Sequence, residues 1–175
     1  CLAACGYAPA IQVTDKKAAE VHVFDATGRL TGTAPVLLGS ARGDHSVPGI
    51  GQRPTAAVRP FERTTPAGRF ITAPGRNLDG EQIVWIDYEA AVSMHRVRAT
   101  VARERRLARL ASASAADNRI SYGCINVPVS FYEAVIWPAF SLAPAIAYVL
   151  PDKKSLHQVF VGLPEAVDSA QAVPA

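Results

Sequence analysis

From Glu20 onward, short runs of β-branched and aromatic residues alternate with turn residues, and that spacing predicts a chain built mainly of strands. Val21-His22-Val23-Phe24 is followed by the turn Asp25-Ala26-Thr27-Gly28-Arg29 and a return over Leu30 to Leu38, the pattern of a β-hairpin. Ile83 to Tyr88 and Ala90 to Arg96 predict two more strands. In the second, Val92 and Met94 fall on one face and Ser93 with His95 on the other. Ala145 to Leu150 predicts a buried strand stopped by Pro151, and Leu156 to Val161 an edge strand. Helical spacing is confined to two stretches. Thr100 to Ala111 sets Leu107, Leu110 and Ala111 among Arg103, Arg105, Arg106 and Arg109. Val129 to Ile136 follows Pro128 and is predicted to end at Pro138.

The rest of the chain breaks that pattern. Gly39 to Pro60, rich in glycine and proline, predicts a long surface excursion of the kind that is usually functional. Residues 1–19 read as a processed segment and tether without a core, 20–161 as the domain, and 162–175 as a loose tail. A length of 175 residues with 49% hydrophobic content suits one domain with a real core. A formal charge of +3 is compatible with an acidic polymer or an anionic membrane surface, but no nucleic-acid-binding motif accompanies it. No apolar run reaches the roughly eighteen residues that a membrane-spanning helix needs.

Three cysteines bring in chemistry. Cys124 sits in Arg119-Ile120-Ser121-Tyr122-Gly123-Cys124-Ile125-Asn126-Val127-Pro128. Gly123 permits close backbone approach, and Pro128 suits the first turn of a helix whose free N–H groups would favour a thiolate nearby. A buried structural cysteine is the alternative, since most free cysteines are of that kind. Asp44 with His45 lacks the spacing of a zinc site, so no metal is expected, and His22 and His157 read as exposed residues.

Ser121-Tyr122-Gly123-Cys124-Ile125-Asn126 resembles the signature of the L,D-transpeptidase catalytic-domain family, which reads Ser or Thr, His, Gly, Cys, a hydrophobic residue, then Asn or Arg. Thr64-Thr65-Pro66-Ala67-Gly68-Arg69-Phe70 resembles that family's Thr-Pro-x-Gly-x-Phe turn, and Val92-Ser93-Met94-His95 its strand ending in a base histidine. The resemblance covers roughly Val21 to Leu150. This chain departs from the family in carrying Tyr at 122 in place of His. The interval from His95 to Cys124 (124 − 95 = 29 positions) is also longer than usual, with the arginine-rich stretch as the insertion. Lengthening a loop costs only about 0.6 kcal/mol per doubling.

The resemblance implies a mainly β fold, a sandwich with a few short helices, in which Cys124 is the nucleophile and His95 the general base. Cys124 would attack the carbonyl at the L-centre of the third residue of a peptidoglycan stem peptide and release the terminal D-alanine. An amine of another stem would then resolve the thioester into a cross-link. No metal or organic cofactor is implied. Backbone N–H groups of Gly123 and Cys124, with Tyr122 as a side-chain contributor, are the candidate oxyanion donors. Ser93, Ser121 or a main-chain carbonyl could orient the imidazole. Asn126 is expected to hold the loop or meet the substrate, and Arg96 and Arg119 are candidate substrate contacts. Arg103, Arg105, Arg106 and Arg109 are candidates for contacts with stem carboxylates or anionic headgroups.

Leu2-Ala3-Ala4-Cys5 resembles a bacterial lipobox, which implies export, lipidation of Cys5 and a membrane anchor, with Cys124 as the remaining thiol and no structural disulfide. Two rival functions stay open: a hydrolase that resolves the same acyl-enzyme with water, and a non-catalytic wall-binding lipoprotein.

Overall fold

In the computed structural model, which describes residues 9–164, the main sheet has eight strands in the order β3-β2-β1-β10-β5-β6-β7-β9. In chain order these are β1 (Ile11–Asp15), β2 (Glu20–Phe24), β3 (Leu30–Pro35), β5 (Gly68–Arg76), β6 (Gln82–Asp87), β7 (Val92–Arg96), β9 (Ile125–Val127) and β10 (Ala145–Val149). The short strands β4 (Leu38–Gly39) and β8 (Arg119–Ser121) form a parallel pair. The fold is mainly β with a few short helices, as the alternation of apolar and turn residues predicts.

The nine-residue strand β5 serves two neighbours in succession. Gly68 to Thr72 pair with β10, and Ala73 to Arg76 pair with β6. It therefore joins a half built from β3, β2, β1 and β10 to a half built from β6, β7 and β9. Alternation sends Val21 and Val23 of the first half and Val84, Ile86, Val92 and Met94 of the second into one apolar core. A helical segment closes that core with Tyr132, Ile136 and Phe140. It consists of α2 (Val129–Phe131), a π turn over Tyr132–Ile136 and α3 (Trp137–Phe140).

Four expectations need correction. Residues 11–19 are not a tether. β1 lies inside the sheet, parallel to β10 and antiparallel to β2, and Gln12, Thr14 and Lys16 are buried. Alternation in Ile11-Gln12-Val13-Thr14 is inverted, with the polar residues inward, so the hydrophobic pattern alone concealed a strand. Pro138 does not end the second helix. The π turn before it widens the backbone and accommodates a residue that offers no N–H. Thr100 to Ala111 yields only a 3-10 turn at Ala102–Glu104 and the five-residue α1 (Arg106–Leu110). Leu156 to Val161 is no strand: Ser155 and Gln158 form a reciprocal capping box that starts α4 (Leu156–Val159). Cys1, Cys5 and most of the C-terminal tail lie outside the described residues.

Candidate active site

β7 and β9 run parallel, with His95 opposite Asn126, so the end of β7 and the loop that leads into β9 meet at one place. Cys124 occupies that loop. Its sulfur lies 3.7 Å from the Ser93 hydroxyl and 3.7 Å from the Ala91 carbonyl. Cys124, His95 and Ser93 face a common groove of about 540 Å³, whose walls include Trp85, Arg106 and Tyr122. An adjoining depression of about 750 Å³ shares Asn77, Leu78, Trp85 and Ala91 with it. The cysteine is partly exposed to that groove rather than sealed in the core.

The loop around the sulfur is held at each step. Gly123 has φ +135, and a Cβ there would stand 2.8 Å from the Thr64 carbonyl, so only glycine fits. The Ser121 hydroxyl donates to the Cys124 carbonyl at 2.7 Å and accepts the Gly123 N–H at 3.1 Å. Buried Thr65 donates its hydroxyl to the Gly123 carbonyl at 2.8 Å and accepts the Gly39 N–H at 2.9 Å. The Thr64-Thr65-Pro66 turn thus acts as a staple on the loop that carries Cys124. Ala91, at φ 53, is a further strained residue whose carbonyl faces the thiol.

The orientation of His95 follows from its partners. Its Nδ1 lies 2.8 Å from the Arg96 carbonyl oxygen, which can only accept, so Nδ1 carries a proton. Of the three candidate orienting groups, the main-chain carbonyl fills the role. In the neutral ring Nε2 is then an acceptor, and it meets the side-chain NH₂ of Asn126 at 3.3 Å. The same NH₂ lies 3.3 Å from the Cys124 carbonyl.

Burial pushes the Cys124 thiol up, but the hydrogen bond and charge of His95, followed by hydrogen bonds from Ser93, more than offset it, and the net shift is downward. The helix dipole expected from Pro128 has little part in this. Strand β9 separates Cys124 from the helix start by three residues, about 10 Å of extended chain.

The remaining candidates divide. Tyr122 is 41% exposed and lies under the Arg63 guanidinium, 4.0 Å from its ring centre. Arg96 is not a groove residue. It is bound to Glu133 at 2.6 Å and to the Gln82 carbonyl, and it packs over Tyr132. Arg119 is likewise committed, its side chain 6% exposed and its guanidinium forked onto Asp152 at 2.7 and 3.1 Å. Both arginines are committed to partners within the fold, and neither lines the groove. Within the arginine-rich insertion, Arg106 turns inward, bonded to Glu104 at 2.6 Å and to Asn126 Oδ1 at 2.7 Å.

Sequence reasoning missed a buried ionic cluster beside the loop. The Lys16 ammonium is fully enclosed and donates to Asp44 at 2.9 Å, to the Gly43 carbonyl at 2.6 Å and to the Thr65 carbonyl at 2.8 Å. Asp44, which the sequence set beside His45, instead accepts the backbone N–H groups of Asp152, Lys153 and Lys154. Burial opposes the Asp44 charge, but those bonds and Lys16 hold the carboxyl well below its ordinary range.

No protein-family model and no curated protein sequence matches the chain. Among solved structures, the helical cell shape determining protein Pgp2 from Campylobacter jejuni matches with a TM-score of 0.51 at 14% identity, over 83% of this chain and 48% of that one. The catalytic domain of the E. faecium L,D-transpeptidase matches with a TM-score of 0.47 at 18% identity, over 82% and 98% of the two chains. The L,D-transpeptidase from Mycobacterium smegmatis gives 0.48 at 16%, over 81% and 58%. This chain therefore spans nearly all of the E. faecium domain and about half of Pgp2. Several of the structural neighbours are L,D-transpeptidases, and the likeness is one of fold.

Proposed function

We propose that the protein is a cysteine-dependent acyltransferase acting on peptidoglycan stem peptides, an L,D-transpeptidase in its chemistry. The observation that carries this reading is the pairing at the groove. A thiol whose pKa is lowered lies beside an imidazole whose Nδ1–H is tied to the Arg96 carbonyl, which leaves Nε2 as the acceptor.

In the first step Nε2 of His95 takes the Cys124 proton while sulfur bonds to the carbonyl carbon of the third stem residue. The tetrahedral oxyanion collapses, the amide C–N bond breaks, and the imidazolium proton goes to the departing amine, giving a thioester and free D-alanine. In the second step an amine of another stem attacks the thioester carbon as neutral His95 takes its proton, the C–S bond breaks, and the imidazolium proton passes to the departing sulfur, restoring the thiol. The Gly123 N–H already serves Ser121, so the Cys124 N–H is the better backbone candidate for the oxyanion. Two peptides must reach one sulfur, and the groove with its adjoining depression supports separate approaches for donor and acceptor. On this reading the protein works outside the cytoplasm, anchored through a lipid on Cys5. Among the described residues, no helix is long and apolar enough to cross a membrane.

Purified muropeptides incubated with the protein and weighed by mass spectrometry provide the test. The expected products are free D-alanine and cross-linked dimers. Release of D-alanine without dimers, even with an added amine acceptor, would mean a hydrolase. No turnover together with a Cys124 that stays unmodified by a carbapenem would sink the enzymatic reading.

A further inference from the structure

Asn126 lies on β9 with both ends of its amide in use. Oδ1 accepts from the Arg106 guanidinium at 2.7 Å, while Nδ2 faces His95 Nε2 and the Cys124 carbonyl, each at 3.3 Å. A guanidinium can only donate, so the Arg106 contact decides which end of the amide is oxygen. Arg106 is itself held by Glu104 at 2.6 Å, and its side chain is only 14% exposed. A line of hydrogen bonds thus runs from the insertion to the base: Glu104, Arg106, Asn126, His95.

We infer that Arg106 is a positioning residue for the Cys124–His95 pair. By fixing the Asn126 amide it presents NH₂, and not the carbonyl, to His95 Nε2, and so keeps that nitrogen an acceptor for the cysteine proton. This rests on the reading of Cys124 and His95 as nucleophile and base. Without Arg106 the amide can turn over. Its oxygen would then face Nε2 and favour a proton there, while Nδ1 stays protonated against Arg96. Such a ring has no lone pair left for the thiol. The insertion between β7 and β8 is on this account part of the catalytic apparatus, and its arginine at 106 is not free to meet a carboxylate or a headgroup.

The charged and titratable side chains lining the groove around the ring are Asp79, Arg98, Glu104, Arg106, Tyr122 and Cys124. Arg98 is already paired with Asp79 and Glu81. Glu104 and Arg106 removed together leave the net charge unchanged, so the test uses that pair. In a Cys124→Ala background, which removes the coupled thiol, ¹⁵N spectra at a fixed neutral pH read whether His95 Nε2 bears a proton. With Glu104→Gln and Arg106→Met added, the Nε2 resonance should shift toward the protonated position. With Asn126→Leu also present there is no amide to turn, and the same pair of changes should produce no shift. An unshifted Nε2 in the first comparison, or an equal shift in both, would overturn the inference.

Should the paired variant fail to fold, Asn126→Leu alone gives the answer. Removing the NH₂ donor from Nε2 should shift the same resonance in the same direction, and an unchanged resonance overturns the inference. None of these measurements involves a wall peptide. A protein that fails to turn over muropeptides could still pass, and a transpeptidase could still fail.

Discussion

The imidazole of His95 donates its Nδ1–H to the carbonyl of the very next residue, Arg96, at 2.8 Å. The group that orients the imidazole is thus main chain, set by the conformation at the end of β7. A backbone orienter cannot be lost by substituting a side chain, so in the proposed mechanism His95 and Cys124 are the two members of the pair exposed to mutation. Cys124→Ala should abolish thioester formation and leave the circular dichroism spectrum unchanged. His95→Gln should lower turnover by about 10² to 10⁴, the range for a general base. Single-turnover assays on muropeptides check both, and residual turnover by Cys124→Ala would refute the mechanism.

The pH dependence of the thiol has a definite sign. Burial alone raises the Cys124 pKa, and His95 and then Ser93 reverse that. With His95→Ala, burial is opposed only by Ser93, so the thiolate should appear at higher pH than in the parent. Iodoacetamide alkylation of Cys124, followed against pH by mass spectrometry, should begin at lower pH than for an ordinary thiol in the parent and move upward in the variant. Each unit of movement corresponds to a tenfold change in thiolate fraction on the acid side. A downward movement would show that His95 does not stabilise the thiolate.

Thr65→Val tests the staple on the nucleophile loop. The methyl replaces a hydroxyl that serves both the Gly123 carbonyl and the Gly39 N–H in a buried setting. Leaving such groups unpaired costs about 1–3 kcal/mol. The variant should therefore unfold at lower denaturant concentration and alkylate Cys124 with a broader pH response. Unchanged stability and an unchanged profile would mean that water or a neighbour replaces the hydroxyl.

Lys16→Met should be among the most destabilising single changes in the chain. It leaves Asp44 and Asp152 facing one another without the ammonium between them, and breaking a buried pair in this way costs about 3–5 kcal/mol. Asp44 has the complementary acid signature. Its folded pKa lies below the unfolded value of about 3.9, so its contribution is complete above that pH and is lost as pH falls toward the folded value. Chemical denaturation between neutral pH and pH 3 should show stability declining in the parent and declining less steeply in Asp44→Asn.

Much of this was readable beforehand, and the failures have physical reasons. Val21 to Leu38, Ile83 to Tyr88 and Ala145 to Leu150 show the alternation or apolar run of buried strands, and the first of these splits into β2, β3 and β4. Resemblance to a family signature picks out Ser121, Tyr122, Cys124 and His95, and the fold brings all four to one groove. β1 escaped because its inward residues are Gln12 and Thr14, which bond one another, followed by buried Lys16, whose partners Asp44 and Thr65 lie far along the chain. Arg96, Arg106 and Arg119 all looked like free cations in a mildly basic chain. Their carboxylate partners, Glu133, Glu104 and Asp152, are neighbours only in three dimensions for two of the three. Arg106 even has its partner two residues away, but nothing in the sequence points it toward Asn126.

The place of β10 also bears on how the domain is made. This strand is inserted between β1 and β5, so the first strand of the fold lacks its inner neighbour until residues 145–149 are available. Pairings that bridge such sequence separations are slow to nucleate. A nascent chain that stops short of Ala145 would hold separate hairpins and no continuous sheet. Formation of the continuous sheet is thus deferred until residues 145–149 can enter between β1 and β5.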